Sequence, residues 1–306
     1  MELLKKYEDS VNSDSSVYLD VDEFIDIAEY YHMNGDWKNS EKVTDQCLAL
    51  YPKEPAALLF KTRIALLHHE DLAAARHYFS QIEHKEEESL ESIYVGAELL
   101  MVEGKVGTAE KYLRNKYEKF LKNAARRNGE EEDEEFDNVN YPLDVALLYM
   151  EHGIFDLALQ WLRESPVPEG PQALDYWDAY GYIYTEMRHY DEAKAAWNKF
   201  LDLDSYNVKA WIMLFNCHFN MHEYEDALQC AEYILAIEPE QQEGIMLKAI
   251  SLFALNEHKK ALECIRKIKG NNFNSDLIQI NYADHILDIK RLMEMLNNIN
   301  LNNGNT

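Results

Sequence analysis

The sequence is poor in the features that mark phosphate-binding loops, disulfide scaffolds and membrane spans. It has only 11 glycines in 306 residues, and neither G-x-G-x-x-G nor G-x-x-x-x-G-K-[ST] occurs. No apolar run approaches the roughly 20 residues of a membrane-spanning helix. The amino terminus also lacks the apolar segment of a secretory signal. These absences predict a cytoplasmic protein.

Cysteine is scarce as well, with four residues and no CxxC spacing. This pattern favours buried, reduced thiols over a zinc site or a redox motif. Cys230 and Cys264 lie 34 residues apart in the same register of two similar segments, so a disulfide between them is the alternative.

Positive charge is the largest deficit of the sequence. Lys and Arg number 30 against 56 Asp and Glu, which gives a net charge of −26 and a pI near 4.7. A phosphate backbone would be repelled by such a surface, so we expect no nucleic-acid partner. An anionic membrane surface is disfavoured for the same reason.

A period of 34 residues runs through the second half of the chain. Ala193, Ala227 and Ala261 are separated by this step, as are Trp177 and Trp211. A fixed period of this size is typical of a stacked array of helical units, in which each unit buries its apolar face against its neighbours.

Within one unit the pattern is Trp177-x2-Tyr180-Gly181-x2-Tyr184, followed by Ala193-x3-Trp197. This pattern resembles the tetratricopeptide repeat, whose consensus is W-x2-L-G-x2-Y and then A-x3-F. The resemblance implies an all-α fold, a right-handed α-solenoid of about seven tetratricopeptide helix pairs with a C-terminal capping helix.

Earlier units keep the period with small departures. Ser40 replaces the small alanine of the first unit, and Thr62-Arg63 replaces the Leu-Gly pair of the second. The predicted organisation is an N-terminal cap or connector at 1–20, repeats one to three at 21–123, an acidic disordered insertion at 124–138, repeats four to seven at 139–275, a C-terminal capping helix at 276–298 and a disordered tail at 299–306. The acidic run from Glu130 to Asp137 is interpreted as a tolerated loop insertion, with a docking or regulatory segment as the alternative.

Catalytic and metal-binding patterns are weak throughout. His218 and His222 are four residues apart and could share a helix face, but His218 is in a packing register and His222 falls at an inter-helix turn. His68 and His69 are interpreted as polar residues at a helix end. We expect no catalytic residues, no metal and no cofactor, and hence a non-enzyme.

In proteins of this family the first helix of each unit lines a concave groove that contacts ligands. Transferred by register, the predicted groove residues are Tyr94, Glu98, Asp144, Leu147, Asp175, Asp178, Tyr182, Glu186, Lys209, Asn216 and Phe219. Carboxylates interspersed with apolar side chains predict binding of a basic or amphipathic protein segment. The subfamily that grips acidic chaperone tails needs basic residues where this chain has Asp178, Tyr182 and Met213, so that activity is not expected.

The function predicted from sequence is therefore a non-catalytic protein–protein interaction scaffold. The alternatives are a self-assembling structural or oligomerisation module and a peptide-sensing regulatory subunit. The sequence names neither the partner nor the oligomeric state.

Overall fold

The structure is a computed structural model that describes residues 2–12, 19–82, 89–127 and 139–265. In these residues the chain forms fifteen α-helices and no strand. They are α1 (Glu2–Asn12), α2 (Val21–Met33), α3 (Trp37–Leu50), α4 (Pro55–Leu67), α5 (Leu72–Ser80), α6 (Leu90–Val102), α7 (Val106–Arg127), α8 (Tyr141–Glu151), α9 (Phe155–Glu164), α10 (Gln172–Glu186), α11 (Tyr190–Leu203), α12 (Val208–Asn220), α13 (Tyr224–Ile237), α14 (Gln242–Ala254) and α15 (His258–Ile265).

From α2 onward the helices pack as seven consecutive pairs, α2 with α3 through α14 with α15. This is the all-α arrangement of helix pairs that the tetratricopeptide resemblance implies, and the predicted fold class is confirmed.

Polar side chains begin many of the helices. Asp20 accepts a hydrogen bond from the Glu23 amide, and the Glu23 carboxylate accepts one from the Asp20 amide, which makes a complete capping box at α2. Asp36, Asp71 and Asn207 cap α3, α5 and α12 in the simpler way, each through a side-chain oxygen. These caps satisfy amides that the helix itself leaves without an acceptor.

Each of the seven helix pairs has one turn residue in the left-handed region of backbone space. In three pairs it is a glycine, such as Gly35 with a φ of 73°. The full set is Gly35, Glu70, Gly104, Gly153, Arg188, His222 and Asn256. The four residues with side chains hold a conformation that costs about 1–2 kcal/mol outside glycine. The turn geometry therefore recurs where the glycine does not.

The chain divides into two compact units, Met1–Val139 and Asn140–Thr306, which are called unit 1 and unit 2 below. Unit 1 contains α1 and the first three pairs. Helix α1 covers the first pair, because the Tyr7 hydroxyl donates to Gln46 at 2.8 Å and the Tyr31 hydroxyl donates to Glu8 at 3.0 Å. Ser40, in place of the small alanine, is fully buried and donates to the Ala28 carbonyl at 2.8 Å. The hydroxyl is thus accommodated without an unsatisfied group.

Unit 2 contains the remaining four pairs and has a core of large aromatic side chains. Trp161, Trp197 and Phe215 are all fully buried. Gly181 lies so close to the Trp197 indole that an added Cβ would be 2.5 Å from the ring. The glycine of the repeat pattern at Gly181 therefore allows the two helices of one pair to approach closely at Trp197.

Some predictions lie partly or wholly outside the described residues. Helix α7 continues to Arg127, so the first four residues of the predicted insertion are helical. The rest of the insertion, the predicted capping helix and the predicted tail are outside the described ranges and stay predictions. All four cysteines are free thiols. Among the helices that the structure describes, none has the length and apolar character that a bilayer span requires.

Candidate functional site

Four predicted groove residues form a stripe along helix α10, which is the first helix of its pair. Asp175, Asp178, Tyr182 and Glu186 are spaced by three, four and four residues, so they share one helix face. Asp175 and Glu186 are exposed, whereas Asp178 and Tyr182 are half-buried. These four side chains are called the α10 stripe below.

Lys209, at the start of α12, connects the α10 stripe to the next pair. Its ammonium group lies 3.2 Å from both carboxylate oxygens of Asp178. The lysine side chain is 65% exposed, so the pair is an accessible surface ion pair of modest energy. The structure thus brings together two predicted groove residues from neighbouring first helices.

Tyr182 is the aromatic centre of the stripe. Its ring meets that of Phe155, the first residue of α9, with the two centroids 6.2 Å apart. Burial raises the pKa of the Tyr182 hydroxyl, and the negative charges of Glu186 and Asp178 raise it further. The tyrosine therefore stays neutral and presents a hydroxyl donor between two carboxylates. Phe155 was missed by sequence reasoning, because it belongs to a second helix and only its position after the Gly153 turn marks it.

The remaining predicted residues of unit 2 divide into accessible and buried ones. Asp144 and Leu147 on α8 and Asn216 on α12 are half-buried. Phe219 is only 1% exposed and packs in the hydrophobic core of unit 2, where its ring stacks on Phe215. The prediction that Phe219 contacts a ligand fails for this reason.

In unit 1 the predicted residues are Tyr94 and Glu98 on α6. Tyr94 is half-buried, but Glu98 is 4% exposed and one of its carboxylate oxygens lies 3.9 Å from Arg63 Nε. Glu98 is therefore occupied inside the unit and does not offer a free carboxylate to a ligand. Arg63 also lies 3.8 Å from Glu91. Burial raises the pKa of this glutamate above its usual value, and the positive charge of Arg63 offsets part of that rise.

A separate polar cluster surrounds the turn of the sixth pair. One donor atom each of His218, Glu223 and Asp226 lies within 4.8 Å of the others, which is a spacing that a metal ion could bridge. However, Glu223 already accepts hydrogen bonds from Lys194 at 2.8 and 2.9 Å and lies 2.6 Å from His218. The Lys194 bond lowers the pKa of Glu223 below its usual range. The lysine supplies the positive charge that an ion would bring, so this cluster is a contact between pairs.

The two histidine pairs singled out from sequence have other neighbours in the structure. His222 Nδ1 lies 2.7 Å from the Tyr224 hydroxyl. His68 follows the last residue of α4, as predicted, and its ring lies against Trp37 with centroids 3.3 Å apart.

Comparison with known proteins gives structural likeness only. No protein-family model matches the chain, and no curated protein matches it. PilF of Pseudomonas aeruginosa is 12% identical, with a TM-score of 0.48 over 86% of this chain and 96% of that one. The Cut9–Hcn1 hetero-tetramer of the APC/C is 16% identical, with a TM-score of 0.48 over 85% of this chain and 49% of that one. MamA is 14% identical, with a TM-score of 0.39 over 68% and 90%.

Proposed function

We propose that the protein is a non-catalytic interaction scaffold that binds a basic or amphipathic segment along the first-helix face of unit 2. The observation that carries this proposal is the α10 stripe, in which accessible carboxylates flank a half-buried tyrosine. A rigid aromatic side chain supplies contact area at low entropic cost, while the charges select the sign of the partner and speed its approach.

The stripe is also held in place before any partner arrives. Tyr182 rests against Phe155, and Asp178 is held by Lys209. Pre-ordered side chains lose less conformational entropy on binding, which favours affinity. A lysine or arginine of the partner would meet Asp175 or Glu186, whereas an apolar side chain would pack on the Tyr182 ring.

The test places a photo-crosslinking residue, p-benzoylphenylalanine, at Tyr182 in cells that make the protein. We expect adducts with a partner whose crosslinked segment is rich in Lys or Arg. The matched control position is Tyr206, which is 79% exposed in the loop between α11 and α12. Equal adducts at both positions would contradict the proposal.

Charge reversal then tests the carboxylates. The double substitution Asp175→Lys with Glu186→Lys changes two exposed acids on the stripe and should reduce crosslinking at position 182 at least tenfold. The control is Asp202→Lys with Glu240→Lys, which makes the same charge change at exposed positions away from the stripe. Circular dichroism should show unchanged melting for both variants, since exposed substitutions usually alter stability by less than about 0.5 kcal/mol.

A further inference from the structure

Helix α7 is a basic segment in a strongly acidic protein. Residues 105–127 contain eight of the 30 Lys and Arg residues but only two of the 56 Asp and Glu residues. The helix is also unusually long, at 22 residues against 13 for its partner α6. Neither the repeat pattern nor the proposed function accounts for this concentration of positive charge.

Within residues 106–122, the part of α7 whose side chains the structure describes, the exposed side chains form one face. Lys111, Asn115, Glu118 and Lys122 are spaced by four, three and four residues, and all are exposed. Lys119 extends the same face and is also exposed. Among the described residues Lys111 and Lys119 have no ion-pair partner, and Lys122 is within ion-pair distance only of Glu118, at 3.9 Å. These five residues are called the α7 face below.

The α7 face matches the α10 stripe in length and is opposite in charge. Lys111 and Lys122 are eleven residues apart, and so are Asp175 and Glu186. At 1.5 Å per residue both pairs of charges span about 16 Å along their helices. In an antiparallel alignment that opposes Lys122 to Asp175 and Lys111 to Glu186, Lys119 falls at the level of Asp178.

The same alignment accommodates the one acidic residue of the α7 face. Glu118 falls beside the Asp178–Lys209 pair, where the 65% exposed lysine offers a cation. Leu121 is 49% exposed next to Lys122 and supplies the apolar side chain that an amphipathic ligand needs. In this alignment each charge of the α7 face lies level with, or beside, a charge of opposite sign.

We propose that the α7 face of one copy of this chain docks on the α10 stripe of a second copy. This inference rests on the proposed function and names its partner. The contact is heterologous, because one copy offers a basic helix and the other an acidic stripe, so it continues from copy to copy. Nucleic acid or an anionic bilayer would also attract these lysines, but a second copy is the favoured partner because its stripe carries two exposed acids at the same eleven-residue spacing as Lys111 and Lys122.

Two double variants test the contact from its two sides. The basic-side variant carries Lys111→Glu with Lys122→Glu, and the acidic-side variant carries Asp175→Lys with Glu186→Lys. A control variant, Lys5→Glu with Lys42→Glu, makes the same charge change as the first at exposed lysines of α1 and α3. All are measured by sedimentation velocity of the full chain over a range of concentrations.

We expect the wild-type protein and the control to associate beyond dimers at about 0.1 M ionic strength, where a screening length of about 10 Å weakens the repulsion between two copies of net charge −26, and to dissociate at about 1 M, where that length falls to about 3 Å. Each double variant alone should associate at least tenfold more weakly. An equimolar mixture of the two variants should associate beyond dimers again, because the reversed α7 face of one copy is opposite in charge to the reversed stripe of the other, and the unreversed stripe and α7 face also remain complementary.

A wild-type protein that stays monomeric at about 0.1 M ionic strength, or a mixture of variants that stays monomeric there, would overturn the inference. So would binding of phosphatidylserine vesicles that the basic-side variant loses while the wild type is monomeric, since α7 would then serve a membrane. If the wild type is monomeric but Tyr182 still crosslinks a foreign partner in a stripe-dependent way, the proposed function stands and only the self-association fails.

Discussion

The two units use the same helix pairs but stabilise them differently. Unit 1 buries polar groups: of the eight buried polar residues in the part of the chain that the structure describes, six lie in this unit, including Lys61 and Glu98. Unit 2 buries large aromatic rings, and it contains four of the five tryptophans. An apolar core gains free energy from burial of area alone, whereas a polar core is stable only if every partner is in place. Core substitutions should therefore change the stability of unit 1 mainly by removing charged partners, and that of unit 2 mainly by changing side-chain volume.

Lys61 is the clearest example of a buried polar group whose partners are in place. It is 4% exposed and lies 2.8 Å from both Glu41 and Asp45, one turn apart on α3. Burial alone would lower the pKa of this lysine, but hydrogen bonds to the two carboxylates raise it above the usual value. The core of unit 2 contains Trp197 and Phe215, whose rings need no charged partner, and the Trp197 indole N–H donates to the Thr185 hydroxyl at 3.1 Å.

The same difference governs the binding faces. In unit 1 Arg63 replaces a small residue and is close to Glu91 and Glu98, so acids on the first-helix face are partly neutralised within the unit. In unit 2 the corresponding position is Gly181, and the carboxylates of Asp175 and Glu186 stay exposed. A face with open carboxylates is better suited to a basic ligand, and this difference is why the proposed site is in unit 2.

The largest expected effect is the loss of the Lys61 partners. Glu41→Ala with Asp45→Ala leaves a buried lysine without a carboxylate and should destabilise unit 1 by about 3 kcal/mol, since an unpaired buried charge typically costs about 3–5 and Asp45 is 59% exposed. The measurement is urea unfolding followed by fluorine NMR of protein labelled with 5-fluorotryptophan. Trp37 is the single tryptophan of residues 1–139, so it reports unit 1 alone.

The control for this experiment is Lys61→Met, which removes the charge and keeps an apolar chain of similar volume. We expect it to change the stability of unit 1 by less than about 1 kcal/mol, because buried ion pairs are often replaceable by apolar residues. Equal destabilisation by both variants would mean that packing, and not charge, governs this position.

A smaller effect is expected from added volume in unit 2. Gly181→Ala places a methyl group 2.5 Å from the Trp197 indole and should destabilise unit 2 by about 1–3 kcal/mol, the usual cost of overpacking. The urea midpoint of unfolding reported by the tryptophan signals of unit 2 should decrease, while the midpoint reported by Trp37 should stay the same. The control is Gly107→Ala in α7, where nothing lies within 4 Å of the added Cβ. It should be neutral or stabilising by up to about 1 kcal/mol, because alanine favours a helix.

The smallest effect is a pH dependence confined to unit 1. Burial lowers the pKa of His32, and the neighbouring His68 and Arg63 lower it further; burial also lowers the pKa of His68. A folded-state pKa below the unfolded value means that the unfolded chain binds protons first. Stability is therefore complete above about pH 6.5 and is lost as the pH falls below it. As the pH is lowered from about 7.5 to about 5.5, the urea concentration at the midpoint of unfolding, read from the Trp37 signal, should decrease.

The expected loss is less than about 1.4 kcal/mol for each histidine, the value of one pKa unit, because solvent screens both rings. The variant His32→Gln with His68→Gln should unfold with the same midpoint at both pH values. Glu41 has a lowered pKa, owing first to its hydrogen bond with Lys61, and it contributes a loss only in more acidic solution. A midpoint that shifts equally in the double variant would contradict the assignment to these histidines.

Much of the fold could be predicted from particular residues. The 34-residue step located the helix pairs, and Gly181 and Trp197 gave the resemblance to the tetratricopeptide repeat, whereas their close contact became visible only in the structure. The departures at Ser40 and Thr62-Arg63 were visible in sequence, but their consequences were not. Ser40 donates to a backbone carbonyl, and Arg63 reaches Glu98 on another pair. Such contacts depend on side-chain rotamers and on distances between helices, which a periodic pattern does not specify.

The candidate site could likewise be predicted as far as helix faces, but not as far as side-chain exposure. Register placed Asp175, Asp178, Tyr182 and Glu186 on one face of α10. It also assigned Phe219 on α12 and Glu98 on α6 to the groove, and both of these side chains are buried. A helix face has no sharp edge, so a residue at its boundary turns inward or outward according to what the neighbouring helices leave open.

The order of residues along the chain by itself determined the repeating helix pairs and the negative charge, because hydrophobic periodicity and charge are local properties of a sequence. Which acids remain open to a ligand was decided only by the tertiary structure. That outcome depends on whether a cation from another helix, such as Arg63 or Lys194, lies close enough to neutralise each one. Coulomb energy falls with distance, and distances between helices exist only in the folded chain.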